Sequence, residues 1–163
     1  MEKLLQELKE RGLTLGSVES LTGGLFASKV TSIPGASKVF KGSLVTYAVE
    51  EKIKLAKVSK DTLEEYGVVS QEVAIEMAEG GRKALNVDIC VSVTGNAGPT
   101  CEPGGKPVGE VHIAVATKRG TIARQFSLKS DRKHIQSMCV KEMKKLVSFS
   151  LKSEAKNEKS KSK

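Results

Sequence analysis

Three polar segments carry residue types that can support chemistry: Glu19-Ser20-Leu21-Thr22-Gly23-Gly24, Tyr47 to Lys52, and Thr94 to Pro107. A serine hydroxyl is a weak nucleophile and needs a base. Neither histidine suits that role, because His112 falls in mid-strand and His134 in a terminal helix. A lysine can serve if it is neutral. Its ordinary pKa of about 10.4 must then be lowered by burial or by a neighbouring positive charge. Lys52 stands 32 positions after Ser20, and Tyr47 five before Lys52. Spacing alone does not bring them together. On pattern alone, Ser20 reads first as a helix cap and Lys52 as a solvated charge on a helix face.

The first segment sits between a strand pattern and a helix pattern. Leu13 to Val18 alternates as a strand, and Leu25 to Val30 continues as a helix closed by Ile33-Pro34-Gly35. Glycines just inside a helix start let backbone N–H groups approach a ligand closely, and a helix N-terminus favours negative charge. The third segment follows Asp88 to Thr94, a nearly continuous β-branched run expected of an interior strand. Gly95, Asn96, Ala97 and Gly98 allow backbone geometries that can form an anion nest. The plainer reading is a long surface loop, although undecorated loops of this length are usually functional or disordered.

The remaining elements must position these segments. Leu4, Leu5 and Leu8 predict a first helix ending at Gly12, and Val39 to Ala48 a second strand. Glu50 to Lys57 predicts a helix with Ile53 and Ala56 on one face. Ser59 and Ser70 are placed to cap the next two helices. Val108 to Thr117 and Thr121 to Leu128 predict a hairpin around Lys118-Arg119-Gly120. From Asp131 a terminal helix carries Ile135, Met138, Cys139, Met143, Leu146 and Val147 as its apolar stripe. Helices alternating with strands, plus a late hairpin, make an α/β sandwich with a mixed sheet. Its strand ends would gather the three segments, since ligands in open α/β sheets bind outside the carboxyl ends of strands. Residues 1–151 read as one domain and 152–163 as a Lys-rich, frayed tail. No internal repeat is visible.

Composition narrows the function. With 163 residues, 39% apolar and 28% charged, the chain reads as a soluble globular domain with a real core. Aromatics are 4% and Trp is absent, which argues against a stacking platform for single-stranded nucleic acid. The net charge is +8, but five lysines against two glutamates in the last 12 residues supply a large part of it. The body is too weakly basic for a strong nucleic-acid footprint and suits an anionic small molecule or simple solubility. No apolar run spans a bilayer and the N-terminus has no signal-peptide stretch, so the expected compartment is the cytoplasm. Cys90, Cys101 and Cys139 offer neither a disulfide framework nor zinc spacing.

The three segments, with Ile33-Pro34-Gly35-Ala36-Ser37, Gly42 to Tyr47, Gly67-Val68-Val69-Ser70 and Lys106-Pro107-Val108-Gly109, follow one another in an order that resembles the CinA C-terminal domain, including its stand-alone nicotinamide mononucleotide deamidases. The resemblance runs from about residue 3 to 150. It implies a three-layer α/β/α fold with a mixed sheet, no metal and no cofactor, and a homodimer. It implies an amidohydrolase that converts nicotinamide mononucleotide to nicotinate mononucleotide and ammonia by a serine–lysine mechanism. Carried over by position, Ser20 matches the nucleophile, Lys52 the base, Tyr47 a tyrosine between them, and Thr94 a supporting threonine. Glu19, Thr22, Gly23, Gly24, Gly95, Asn96, Ala97, Gly98, Lys106 and Arg132 fall at substrate-binding positions. Two departures stand out. Gln136 occupies the place of a second arginine, four positions after Arg132, and Cys101-Glu102 interrupts a usually Gly-rich loop. They leave a second reading, a catalytically silent nucleotide-binding or regulatory module.

Overall fold

A computed structural model describes residues 1–161. The elements run α1 (Glu2–Glu10), β1 (Leu15–Glu19), α2 (Leu25–Thr31), a 3-10 turn (Ala36–Lys38), β2 (Phe40–Val45), α3 (Val49–Lys54), α4 (Lys60–Tyr66), α5 (Gln71–Leu85), β3 (Ile89–Gly95), β4 (Glu110–Thr117), β5 (Gly120–Ser127) and α6 (Arg132–Lys161). The five strands form one sheet in the order β2-β1-β3-β4-β5. β1 pairs in parallel with β2 and β3, while β3–β4 and β4–β5 are antiparallel, so the sheet is mixed as expected.

Strand alternation divides the core in two. Leu15, Val91, Val93, Ile113 and Val115 face α1, α2 and α6, whose Leu8, Phe26, Ile135 and Met143 are fully buried. Val18, Cys90, Ala114 and Ala116 face α5, where small side chains admit a close approach. A Cβ on Gly81 would lie 2.2 Å from Val18 Cγ2. The result is the three-layer α/β/α sandwich. All five residues of β1 are buried, because it lies inside the sheet and is covered on both faces. The parallel order β2-β1-β3 brings three strand ends side by side, which is where the polar segments emerge.

Ser59 and Ser70 cap α4 and α5 as expected, accepting from the N–H groups of Thr62 and Val73. The terminal helix corrects the sequence reading. α6 continues through the expected frayed tail to Lys161, and residues 162 and 163 of that tail lie outside the described residues. Residues 152–161 contain no Gly or Pro and are rich in helix-compatible Lys, Glu and Ala. Arg11 donates to the Leu151 carbonyl and Arg119 to that of Glu154, tying the extension to the body.

Candidate active site

β1 ends at Glu19, Ser20 follows it directly, and alternation sends their side chains to opposite faces. Glu19 is fully buried on the α2 side. Its carboxylate accepts from Thr22 Oγ1 (2.7 Å), the N–H groups of Phe26 and Ala27 (2.9 and 3.0 Å) and Ser43 Oγ (3.2 Å). It therefore caps α2, whose own N-cap, Gly24, has no side chain to do so. Gly23 (φ 57°) and Gly24 (φ 99°) take the left-handed conformations that turn the chain from strand into helix. Glu19 was expected at the substrate. Its burial and four donors remove it from reach, and Thr22 spends its hydroxyl proton on the same carboxylate.

Ser20 keeps β1 in register with β3 through its N–H to the Val93 carbonyl. Its Oγ lies 2.9 Å from Lys52 Nζ. Lys52 is 1% exposed, although it belongs to the short, charged helix α3. Two carbonyls explain how a lysine is tolerated there: Nζ donates to Thr46 O at 2.6 Å and reaches Tyr47 O at 3.4 Å. Among the described residues Lys52 forms no ion pair. Burial, with no carboxylate opposing it, pushes its pKa down to about 8. In the ammonium form Nζ donates to Ser20 Oγ. Once deprotonated, its lone pair can take the hydroxyl proton along the same line.

Tyr47 does not stand between the two. Direct contact leaves no gap to relay across, and Tyr47 is 63% exposed. Its Oη instead accepts from Arg132 Nη2 at 3.3 Å. Arg132, on the first turn of α6, also donates through Nη1 to the Gly98 carbonyl at 2.7 Å. One α-helical turn later, Gln136 Nε2 donates to the Leu21 carbonyl at 2.7 Å. The start of α6 thus ties down all three segments.

The third segment is held from within. Thr94 is buried and donates to the Val68 carbonyl at 2.9 Å, joining β3 to the loop before α5 rather than touching Ser20. A Cβ on Gly95 would lie 2.7 Å from Glu110 O, so only glycine fits beside β4. Asn96 Nδ2 donates to Thr100 O and Lys106 O, and its Oδ1 accepts from the Gly98 N–H. Asn96 is therefore a loop brace, and the Ala97 side chain is buried in the core. Lys106 is half exposed, with Nζ 4.0 Å from Glu110 Oε1. His112 also meets Glu110, at 2.8 Å, and His134 meets Asp131, so neither histidine contacts the Ser20–Lys52 pair.

A cleft of about 640 Å³ opens past the end of β3, lined by Tyr66, Val68, Gly95, Asn96, Glu102 and Lys106 among others. A groove of about 590 Å³ lies between α1 and the Ile33–Val39 stretch; neither Ser20 nor Lys52 is in the lining of either hollow. Among the described residues, no group of three or more His, Cys, Asp or Glu side chains is arranged to hold a metal ion, and no helix is long and apolar enough to cross a membrane.

The same architecture recurs in known proteins. The family model described as the CinA C-terminal domain matches residues 1–150. The chain belongs to the CinA C-terminal domain family. A CinA-like protein from Fervidobacterium nodosum is 45% identical over 129 residues, 79% of this chain and 32% of its own length. Another from Kosmotoga olearia is 42% identical over 136 residues, 83% of this chain and 33% of its own. The chain thus spans about a third of the length of the curated CinA relatives it matches. Among solved structures, a CinA superfamily protein from Escherichia coli superposes with a TM-score of 0.86 at 30% identity, covering 91% of this chain and 86% of that one. A competence/damage-inducible protein from Agrobacterium tumefaciens gives 0.84 at 30% identity, covering 92% and 90%.

Sequence reasoning missed two contacts. Ser43, bound to both Ser17 and Glu19, looks like an ordinary strand residue. Gln136 stood out as a departure, but nothing in the sequence pointed it at Leu21, 115 positions away. A hint for Ser43 existed, since a buried Glu19 must find donors on the neighbouring strand.

Proposed function

We propose that the chain is a serine amidohydrolase that deamidates nicotinamide mononucleotide to nicotinate mononucleotide and ammonia. The observation that carries the reading is the 2.9 Å contact between Ser20 Oγ and a buried Lys52 whose pKa is lowered to about 8. A base near neutrality beside a hydroxyl is what nucleophilic attack requires.

Neutral Lys52 accepts the Ser20 proton as Oγ bonds to the carboxamide carbon. The carbonyl electron pair moves to oxygen. The Lys52 ammonium then gives its proton to the amide nitrogen, the C–N bond breaks, and ammonia leaves. Water, deprotonated by Lys52, hydrolyses the acyl-serine and frees the carboxylate product. The N–H groups of Leu21, Thr22 and Gly24 donate to no described residue, which leaves them available to the oxyanion. Arg132 places two N–H groups on Gly98 O and Tyr47 Oη and keeps others, and its charge, for the phosphate. The cleft past β3 that holds Lys106 has the volume of a small-ligand site, although its lining includes neither Ser20 nor Lys52.

Ammonia release from nicotinamide mononucleotide, measured for wild type, Ser20→Ala and Lys52→Ala, tests the reading. Wild type is expected to turn over and both variants to be silent. An active Ser20→Ala enzyme would refute the mechanism. A wild type that binds the mononucleotide by calorimetry but releases no ammonia would favour a silent binding module.

A further inference from the structure

Among the described residues Gln136 makes one polar contact, and it falls on the residue after the proposed nucleophile: Nε2 donates to Leu21 O at 2.7 Å. Facing a carbonyl, the amide must present its NH2 side, so the donor assignment is fixed by the partner. The Leu21–Thr22 peptide is trans; among the described residues the cis bond is Gly98–Pro99. A trans peptide carries its N–H on the side opposite its C=O. With Leu21 O drawn toward α6, the Thr22 N–H is turned away from α6. The α6 layer lies on the Glu19 face of the sheet, and Ser20 Oγ meets Lys52 on the other. The Thr22 N–H has no acceptor among the described residues although Thr22 is buried, an unusual state for a backbone donor.

We propose that Gln136 is a positioning residue that orients and polarises the Leu21–Thr22 peptide so that the Thr22 N–H carries the oxyanion formed on Ser20 attack. The proposal rests on the serine amidohydrolase reading. A hydrogen bond received by a peptide carbonyl strengthens the donor on the same peptide, and a fixed peptide plane needs no reorganisation as charge develops. Gln136 acts from a helix, a rigid support, and touches no reacting atom. Its role does not need a guanidinium; it needs an N–H donor of the right reach.

Three variants separate the possibilities. Gln136→Met keeps length and neutrality but removes the donor. Gln136→Arg keeps a donor. Gln136→Ala removes both. For Gln136→Met, kcat for ammonia release is expected to fall roughly tenfold, a part of the 10²–10³ that a whole oxyanion donor is worth. KM should stay within about twofold, and the melting midpoint should fall by only a few degrees, because the Leu21 carbonyl loses its donor while the exchange at this half-buried position leaves the core intact. Gln136→Arg should retain most of kcat, and Gln136→Ala should match Gln136→Met. In parallel, a fluorophosphonate reads serine reactivity independently of substrate: Ser20 Oγ bonds to phosphorus, fluoride leaves and the proton passes to Lys52. Its labelling rate should fall in step with kcat. Labelling of Gln136→Met at the wild-type rate would overturn the proposal while leaving the serine reading intact. So would a loss confined to KM, or an arginine variant as impaired as the methionine one. A wild type that neither releases ammonia nor takes the label would overturn both.

Discussion

Replacing Lys52 with methionine separates the cost of a buried lysine from its chemical use. With a folded pKa of about 8 against 10.5 in the unfolded chain, Lys52 holds fewer protons in the folded state across that window. Stability therefore rises with pH between those values, and below pH 8 the folded state carries the whole cost of burying the ammonium. By linkage that cost is about 3 kcal/mol at pH 7 and about 1 kcal/mol at pH 10. Lys52→Met has no group titrating there. It also leaves Thr46 O and Tyr47 O without their donor, at about 1–3 kcal/mol each, but that loss does not vary with pH. Urea unfolding of both proteins at pH 7 and pH 10 isolates the titrating part. Wild type should gain about 2 kcal/mol on Lys52→Met over that interval. The same pKa sets the activity profile. About one Lys52 in ten is neutral at pH 7 and about nine in ten at pH 9, so kcat/KM should climb roughly tenfold and then level off. Equal pH slopes in unfolding for the two proteins would show that Lys52 is not held near neutrality, and the base assignment would fall with it.

Glu19→Gln keeps the shape of the α2 cap but replaces a carboxylate that accepts from four donors, so it should cost about 2–3 kcal/mol in urea unfolding and lower kcat. Gly80→Ala tests the seat of α3. Helix propensity favours alanine by about 1 kcal/mol. A Cβ there would lie 1.6 Å from Ala56 O, a backbone atom, so the exchange should instead destabilise by about 2 kcal/mol or more on thermal melting, and disturb Lys52.

The architecture was largely legible because it depends on local patterns. The β-branched run at Ile89 to Thr94 and the capping serines Ser59 and Ser70 each report their own surroundings. The position of Ser20 at a strand-to-helix turn followed from the same patterns. The burial of Lys52 did not. Its charge and its neighbours Glu50, Glu51 and Lys54 describe a solvated helix, and the apolar Ile53 looked like the inward residue. Two carbonyls at the end of β2 decide the matter, and carbonyls leave no trace in residue type. The partners of Tyr47 and Asn96 were not legible for a related reason. Both bear groups suited to substrate, but Arg132 and the Thr100–Lys106 loop claim them first. The last turns of α6 were illegible because Lys, Ser, Glu and Ala suit a solvated tail and a helix alike.

On the serine–lysine reading proposed above, Glu19 and Ser20 explain why a lysine can act as base at this site. Adjacent strand residues point to opposite faces. The one buried carboxylate next to the nucleophile is thereby sent to the α2 side, where backbone N–H groups and two hydroxyls compensate its charge. Had Glu19 faced Lys52, the pair would have favoured the ammonium and raised its pKa, leaving no free lone pair near neutrality. On its own side Lys52 meets only neutral oxygens, two carbonyls and the Ser20 hydroxyl, which accept its hydrogen bonds without offsetting the loss of hydration. The carboxylate orders the turn that presents the serine, and the sheet keeps it from the lysine. Exchanging the order of the acid and the serine would place the acid against Lys52 and the hydroxyl against α2, ending both functions without altering composition.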